Sequence, residues 1–221
     1  MCSIYGAKNR TLFNILHDAT KDRGVYAFSA AFLNHKKRKL TITRQHGHPK
    51  DIEQLSCKDG DELFLGHNQA PTSSAREYDR ETSHPFVAHN WVVAHNGVLT
   101  NYKDINKKHC IWNKNPVDTS CIPNLLHALE TKHPIAHERE IICDALGMLE
   151  GTFAVWIFNE KTGHVFLARQ GSTLFANPET GDFCSIQSKG WVEVPEGVLF
   201  DITKGYEQVG EFKSKSPFFT L

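Results

Sequence analysis

No stretch of this 221-residue chain approaches the ~20 apolar residues that a helix needs to cross a bilayer, and no apolar run of signal-peptide length stands at its start. Net charge is lacking too, because lysine plus arginine and aspartate plus glutamate each total 25. A balanced chain creates no strong field to draw nucleic acid or an anionic membrane, so neither partner is expected. The one basic cluster, His35-Lys36-Lys37-Arg38-Lys39, lies between two apolar stretches and reads as a solvated turn. Metal-ligand spacing is missing despite 13 histidines: there is no HExxH helix and no Cys/His ribbon. His46, His48, His133 and His137 read as surface histidines, and no metal is expected. The six cysteines, at positions 2, 57, 110, 121, 143 and 184, form no CxxC pair and no compact framework. That predicts free thiols and a reducing, cytoplasmic setting. Repeats and low-complexity linkers are absent as well, and the length suits a single domain, 1–221, with a sizeable core.

What is present is a strand-rich block at each end with helices between them. The spacing of Leu12, Ile15, Leu16 and Ala19 predicts a helix over 10–23, capped by Asn9 or Thr11 and followed by Gly24. Strands are predicted at 3–6, 25–33, 40–44, 62–66 and 91–94, with 45–61 as loop containing one short helix. The stretch 73–83, rich in hydroxyls and charge, reads as an exposed loop. Two helices are predicted at 119–132 and 137–150, from the stripes Ile122, Leu125, Leu126, Leu129 and Ile141, Ile142, Ala145, Leu146, Leu149. Short strands fill most of 152–203, and the tail adds one more. This order does not alternate as βαβ; it predicts an α+β fold of antiparallel sheets packed together with helices on the outer faces.

The first six residues, Met1-Cys2-Ser3-Ile4-Tyr5-Gly6, carry the chemistry. If Met1 is removed, Cys2 holds both a thiol and a free α-amine, whose pKa of roughly 7.7–8.0 suits it to take the thiol proton. Alone this is weak, since most second-position cysteines are inert. Asn96-Gly97, taken without context, reads as a type I′ hairpin turn.

Taken together, Met1-Cys2-Ser3-Ile4-Tyr5-Gly6, Arg23-Gly24, Gly66-His67 with Thr72, His84-Pro85, His95-Asn96-Gly97 with Asn101-Tyr102, Asp118-Thr119, and Gly151-Thr152-Phe153-Ala154 with Arg169 resemble the class II glutamine amidotransferase domain of the N-terminal-nucleophile (Ntn) hydrolases. The resemblance runs from Cys2 to about Gly205. It implies a four-layer αββα sandwich with Cys2 at the edge of one sheet. It also implies no cofactor, and hydrolysis of the glutamine side-chain amide through a Cys2 thioester. Asn96 and Gly97 match the family's oxyanion hole, which stabilises the charge of the tetrahedral intermediate. Asp118 matches the residue that binds the substrate α-amine, and it suits equally a cap on the following helix. Thr72 and His84 match pocket residues, although a histidine such as His84 is as readily a packed structural one.

Gln69 departs from the pattern. The family usually has arginine there, paired with the substrate α-carboxylate, and a neutral amide lacks that charge. Either another cation, Arg23 or Arg76, reaches the carboxylate, or the substrate is not free glutamine. The expected partner is a separate ammonia-accepting synthase, because no acceptor domain follows residue 221. Two other readings stand beside this one: an amidohydrolase acting on a γ-glutamyl or other amide, and a catalytically silent regulatory subunit.

Overall fold

The alternation of apolar residues resolves into two antiparallel sheets laid face to face, in a computed structural model that describes residues 1–58, 60–70 and 79–214. In chain order the elements are β1 (Ser3–Ala7), α1 (Arg10–Thr20) with a 3-10 turn Lys21–Arg23, β2 (Ala27–Asn34), β3 (Lys39–His46), β4 (Leu63–Gln69), β5 (Phe86–Ala88) and β6 (Trp91–Leu99). Then come α2 (Tyr102–Lys108), a 3-10 turn Asp118–Ser120, α3 (Cys121–Lys132), α4 (Glu138–Gly147), β7 (Gly151–Asn159) and β8 (Val165–Gln170). The chain closes with β9 (Phe175–Ala176), β10 (Phe183–Cys184), β11 (Val192–Glu193), β12 (Val198–Asp201) and β13 (Glu207–Glu211). One sheet runs β11-β9-β10-β1-β4-β2-β3 and the other β13-β12-β8-β7-β6-β5.

Three apolar layers hold these elements together. Ile4, Leu65, Ala94, Trp156 and Leu167 fill the space between the sheets. Phe13 of α1 packs with Phe28, Phe32 and Phe64 on the outer face of the first sheet. On the second sheet, Ile122, Leu125 and Leu126 of α3 and Ile142 and Leu146 of α4 cover Trp91, Val93, Phe153 and Val155. Each such side chain contributes roughly 1.5–3 kcal/mol by leaving water. Because side chains alternate along a strand, Leu63 and Leu65 direct His67 and Gln69 to the inner face. In the same way Val92 and Ala94 of β6 direct Asn96 inward.

The predicted fold class is the observed one: two antiparallel sheets between helical layers. Several local expectations need correction. Helix α1 buries Phe13, Leu16, His17 and Thr20, whereas Ile15 is 57% exposed. The sheet beneath is an aromatic floor, and Phe13 rather than Ile15 fits it, with an edge-on contact to Phe32 at 5.8 Å. Asn9 is the cap, accepting a hydrogen bond from Leu12 N at 2.7 Å. Asn96-Gly97 is no turn, because β6 runs straight through both and pairs them with Ala154 and Phe153 of β7. Helix α2 was not predicted from its polar, seven-residue sequence. Cys2 does not sit at a sheet edge: β1 lies inside its sheet, between β10 and β4.

Candidate functional site

The register of β1 against β4 sets Ser3 opposite Asn68, so Cys2 falls beside the end of β4, and Ala70 N donates to Cys2 Sγ at 3.4 Å. There a cavity of about 520 Å³ opens, lined among others by Cys2, Arg23, Ala70, Asn96, Gly97 and Thr173. Burial pushes the Cys2 thiol pKa above its ordinary value. The Ala70 N–H, the chain's terminal ammonium and Arg23 oppose that rise, and Asp118 adds to it. A thiol so placed holds little thiolate by itself and needs a base at hand. With Met1 attached the α-amine belongs to Met1, which is 84% exposed and also lines the cavity.

Asn96 is 7% exposed, and its Nδ2 donates one hydrogen bond, to Ser185 Oγ at 3.4 Å. An amide nitrogen carries two hydrogens, which leaves the second for the cavity. Gly97 has φ +148°, a region nearly closed to residues with a Cβ. A Cβ there would also stand 2.0 Å from Thr152 O.

Asp118 heads the 3-10 turn before α3. Its Oδ2 accepts from Leu99 N at 2.7 Å and its Oδ1 from Thr119 N at 2.8 Å. The carboxylate thus ties the end of β6 to the turn. It lines a second cavity of about 330 Å³ that shares Gly97 and Val98 with the first.

His84 is 4% exposed and stacks on His67 with ring centroids 3.9 Å apart. Hydrogen-bond partners assign the protons around it. His67 Nε2 lies 3.1 Å from His95 O, and His95 Nε2 lies 3.1 Å from Thr152 O. Carbonyls only accept, so both Nε2 atoms carry hydrogen. The Thr119 hydroxyl sits between His95 Nδ1 and His84 Nε2, 2.9 Å from each, and 3.4 Å from Asp118 Oδ1. Burial holds His67 neutral, with its pKa lowered to about 3. His67 therefore fixes the peptide that leads into Asn96.

Cys2, Asn96 and Gly97 meet at one cavity, and Asp118 borders the adjoining one. Gln69 and His84 are not among the described residues that line either. Gln69 is 2% exposed, and its Oε1 has no hydrogen-bond partner among the described residues. Thr72 and Arg76 lie outside the described residues. Arg23, one of the two cations considered from sequence, does line the cavity. Its Nη1 donates to Ser185 O at 3.2 Å, and Nη2 approaches Met1 Sδ at 4.0 Å. Its Nε is buried without a partner among the described residues. Ser185 and Thr173 escaped the sequence reading, since a serine after a two-residue strand carries no motif.

Residues 74–184, which include Asn96, Gly97 and Asp118, match the glutamine amidotransferase domain family. Over 191 residues the chain is 27% identical to a 7-cyano-7-deazaguanine synthase of Saccharolobus solfataricus, covering 79% of this chain and 40% of that protein. Over 188 residues it is 28% identical to an isomerizing glutamine–fructose-6-phosphate aminotransferase of Francisella tularensis, covering 79% of this chain and 29% of that one. The chain thus spans less than half the length of these relatives. Solved structures share the fold, and two serve as examples. A glutamine phosphoribosylpyrophosphate amidotransferase from B. subtilis superposes with TM-score 0.69 at 17% identity, covering 94% of this chain and 48% of that one. A glutamine aminotransferase class-II domain protein from Silicibacter pomeroyi gives TM-score 0.58 at 12% identity, covering 96% and 99%.

Proposed function

The chain belongs to the class II glutamine amidotransferase domain family, and on that premise we propose that it is a glutaminase that releases ammonia for a separate acceptor enzyme. The observation that carries this reading is the convergence of Cys2, Asn96 and Gly97 on one cavity. After loss of Met1, the Cys2 α-amine takes the thiol proton and Sγ attacks the side-chain amide carbon of glutamine. The tetrahedral oxyanion is stabilised by the free Nδ2 hydrogen of Asn96 and the backbone N–H of Gly97. The ammonium then returns the proton to the leaving nitrogen, the C–N bond breaks and ammonia departs. Water cleaves the thioester, giving glutamate and restoring the thiol. The burial that raises the thiol pKa supports a base on the same residue.

Substrate charge is met from both sides of the site. Arg23 spends Nη1 on Ser185 O, which leaves the Nε and Nη2 edge; the hydrogen-bond contact of that edge among the described residues, Met1 Sδ, goes with Met1. That edge is the fork that pairs a carboxylate in two parallel bonds, so Arg23 takes the α-carboxylate in place of an arginine at position 69. Asp118, its oxygens each holding one N–H, takes the α-ammonium through the remaining lone pairs.

The test is glutamate release from glutamine by the chain lacking Met1, with intact mass confirming the loss, against Cys2→Ala. Release that survives Cys2→Ala, or that persists in a chain keeping Met1, sinks the mechanism. Faster turnover of γ-glutamyl amides than of glutamine in the same assay would select the amidohydrolase reading instead.

A further inference from the structure

Ser185 ties three parts of the site together. Its Oγ lies 2.9 Å from Ile4 N, 3.2 Å from Ile4 O and 3.4 Å from Asn96 Nδ2. A hydroxyl has one hydrogen to donate and two lone pairs to accept with, and these three contacts use all of them. The proton goes to Ile4 O, so the lone pairs receive the Ile4 N–H and an Asn96 N–H. The Ser185 main chain adds to this, with its N donating to Ile4 O at 2.9 Å. Its carbonyl accepts from Arg23 Nη1 at 3.2 Å and Thr173 Oγ1 at 2.9 Å. The residue is 1% exposed, so no bulk water competes for these bonds.

We propose that Ser185 is a positioning residue that sets the Asn96 amide relative to the Cys2 strand, by holding Ile4 and one Asn96 N–H on a single hydroxyl. This rests on the reading of Asn96 as an oxyanion donor. Ile4 is two residues from Cys2 on an extended strand, so the hydroxyl links nucleophile and oxyanion donor through a short, rigid path. With one amide hydrogen bound to Ser185, the plane of the Asn96 amide is set and the other hydrogen is aimed. Without that bond the amide rotates about its terminal torsion, which is broad, and the donor spends less time in place. Misplacement by about 1 Å is enough to cost about a hundredfold in rate.

The experiment compares Ser185→Ala with the native chain, each freed of Met1, alone and combined with Asn96→Ala. The expected result is a fall in kcat for glutamine of about ten- to a hundredfold, with KM within about twofold. In the Asn96→Ala background the same change should move kcat by less than about twofold, since a residue that acts through Asn96 has nothing left to act on. Equal losses in both backgrounds overturn the proposal and leave Ser185 a purely structural residue. Because Ser185→Ala also strips the Ile4 N–H of its acceptor, Ser185→Thr and Ser185→Cys form a second pair. Threonine keeps the hydroxyl and should retain more kcat than cysteine, whose thiol bonds weakly; the reverse order contradicts the proposal. A readout free of turnover separates this inference from the glutaminase reading. Side-chain amide exchange of Asn96 by NMR should quicken about tenfold or more in Ser185→Ala, in line with loss of its one bond. Unchanged exchange overturns the role of Ser185, whatever the chain hydrolyses, and absent glutamate release from the native chain overturns the glutaminase reading alone.

Discussion

Gly97→Ala tests most directly whether β6 is built around a close approach to β7. A Cβ on residue 97 would stand 2.0 Å from Thr152 O, 2.6 Å from Thr152 C and 2.8 Å from His95 Nε2, where real contacts almost never fall below 3.0 Å. The carbonyl must therefore retreat by about 1 Å, an overpacking strain of about 1–3 kcal/mol. Thr152 O is also the acceptor for His95 Nε2 at 3.1 Å, so its retreat weakens a bond worth about 1 kcal/mol. The backbone angle, φ +148°, adds about 1–3 kcal/mol for a residue with a side chain. Together these predict a loss of about 3–7 kcal/mol, which for a chain of this size lowers Tm by about 6–28 °C. Gly190→Ala is the control. It too has a positive φ, +80°, but nothing lies within 4 Å of its Cβ position, so only the backbone cost of about 1–2 kcal/mol applies. Thermal unfolding of both variants decides the matter. A Gly97→Ala chain that melts no lower than Gly190→Ala refutes the steric argument, and with it the claim that residue 97 is confined to glycine. On the proposed mechanism, Gly97→Ala measured well below its Tm should also release glutamate about a hundredfold more slowly or worse, because the shift displaces the N–H assigned there to the oxyanion.

Three further outcomes are expected. Asn96→Ala should lower kcat by about 10²–10³ while changing Tm little, since its one hydrogen bond is long at 3.4 Å; a kcat within twofold of native removes Asn96 from the oxyanion hole. Arg23→Ala should raise KM for glutamine about tenfold or more and affect kcat less, consistent with losing a charged hydrogen bond of about 1.5–3 kcal/mol. Arg23→Lys, which has no fork, should recover only part of that affinity, and full recovery would argue against two-point pairing. Stability should fall as pH drops from about 6.5 toward 3, because unfolded His67 titrates near ~6.5 whereas the folded residue is held neutral with its pKa lowered to about 3. The unfolded chain binds the extra proton throughout that window, so native stability is greatest above it. Chemical denaturation across pH should show a shallower slope for His67→Gln, by at most about 1.4 kcal/mol per pH unit, and an unaltered slope counts against the assignment.

The sequence alone determined the class of fold and the order of the long elements, and its motifs singled out Cys2, Asn96, Gly97 and Asp118 as a candidate set, of which the first three line one cavity. Periodicity carries the elements because strands and helices bury every second or every third and fourth residue, and ordered motifs carry the set because their spacings are independent. Its failures share a cause. The Leu12 and Ile15 stripe has the right period, but which neighbouring stripe is buried depends on the aromatic floor of Phe28, Phe32 and Phe64, which lies far along the chain. Asn96-Gly97 has the composition of a turn, and only pairing with Ala154 and Phe153 keeps it extended. His84 read equally as a pocket residue and as a packed structural one, and its burial against His67 and Thr119 could be seen only in the fold. What only the tertiary structure decided is which groups share space: Arg23 from a helical turn, Asn96 from one sheet and Ser185 from the other. Their contacts are fixed by sheet register and by the approach of two sheets, and a linear pattern holds no record of a hydroxyl that bonds residues 181 and 89 positions away.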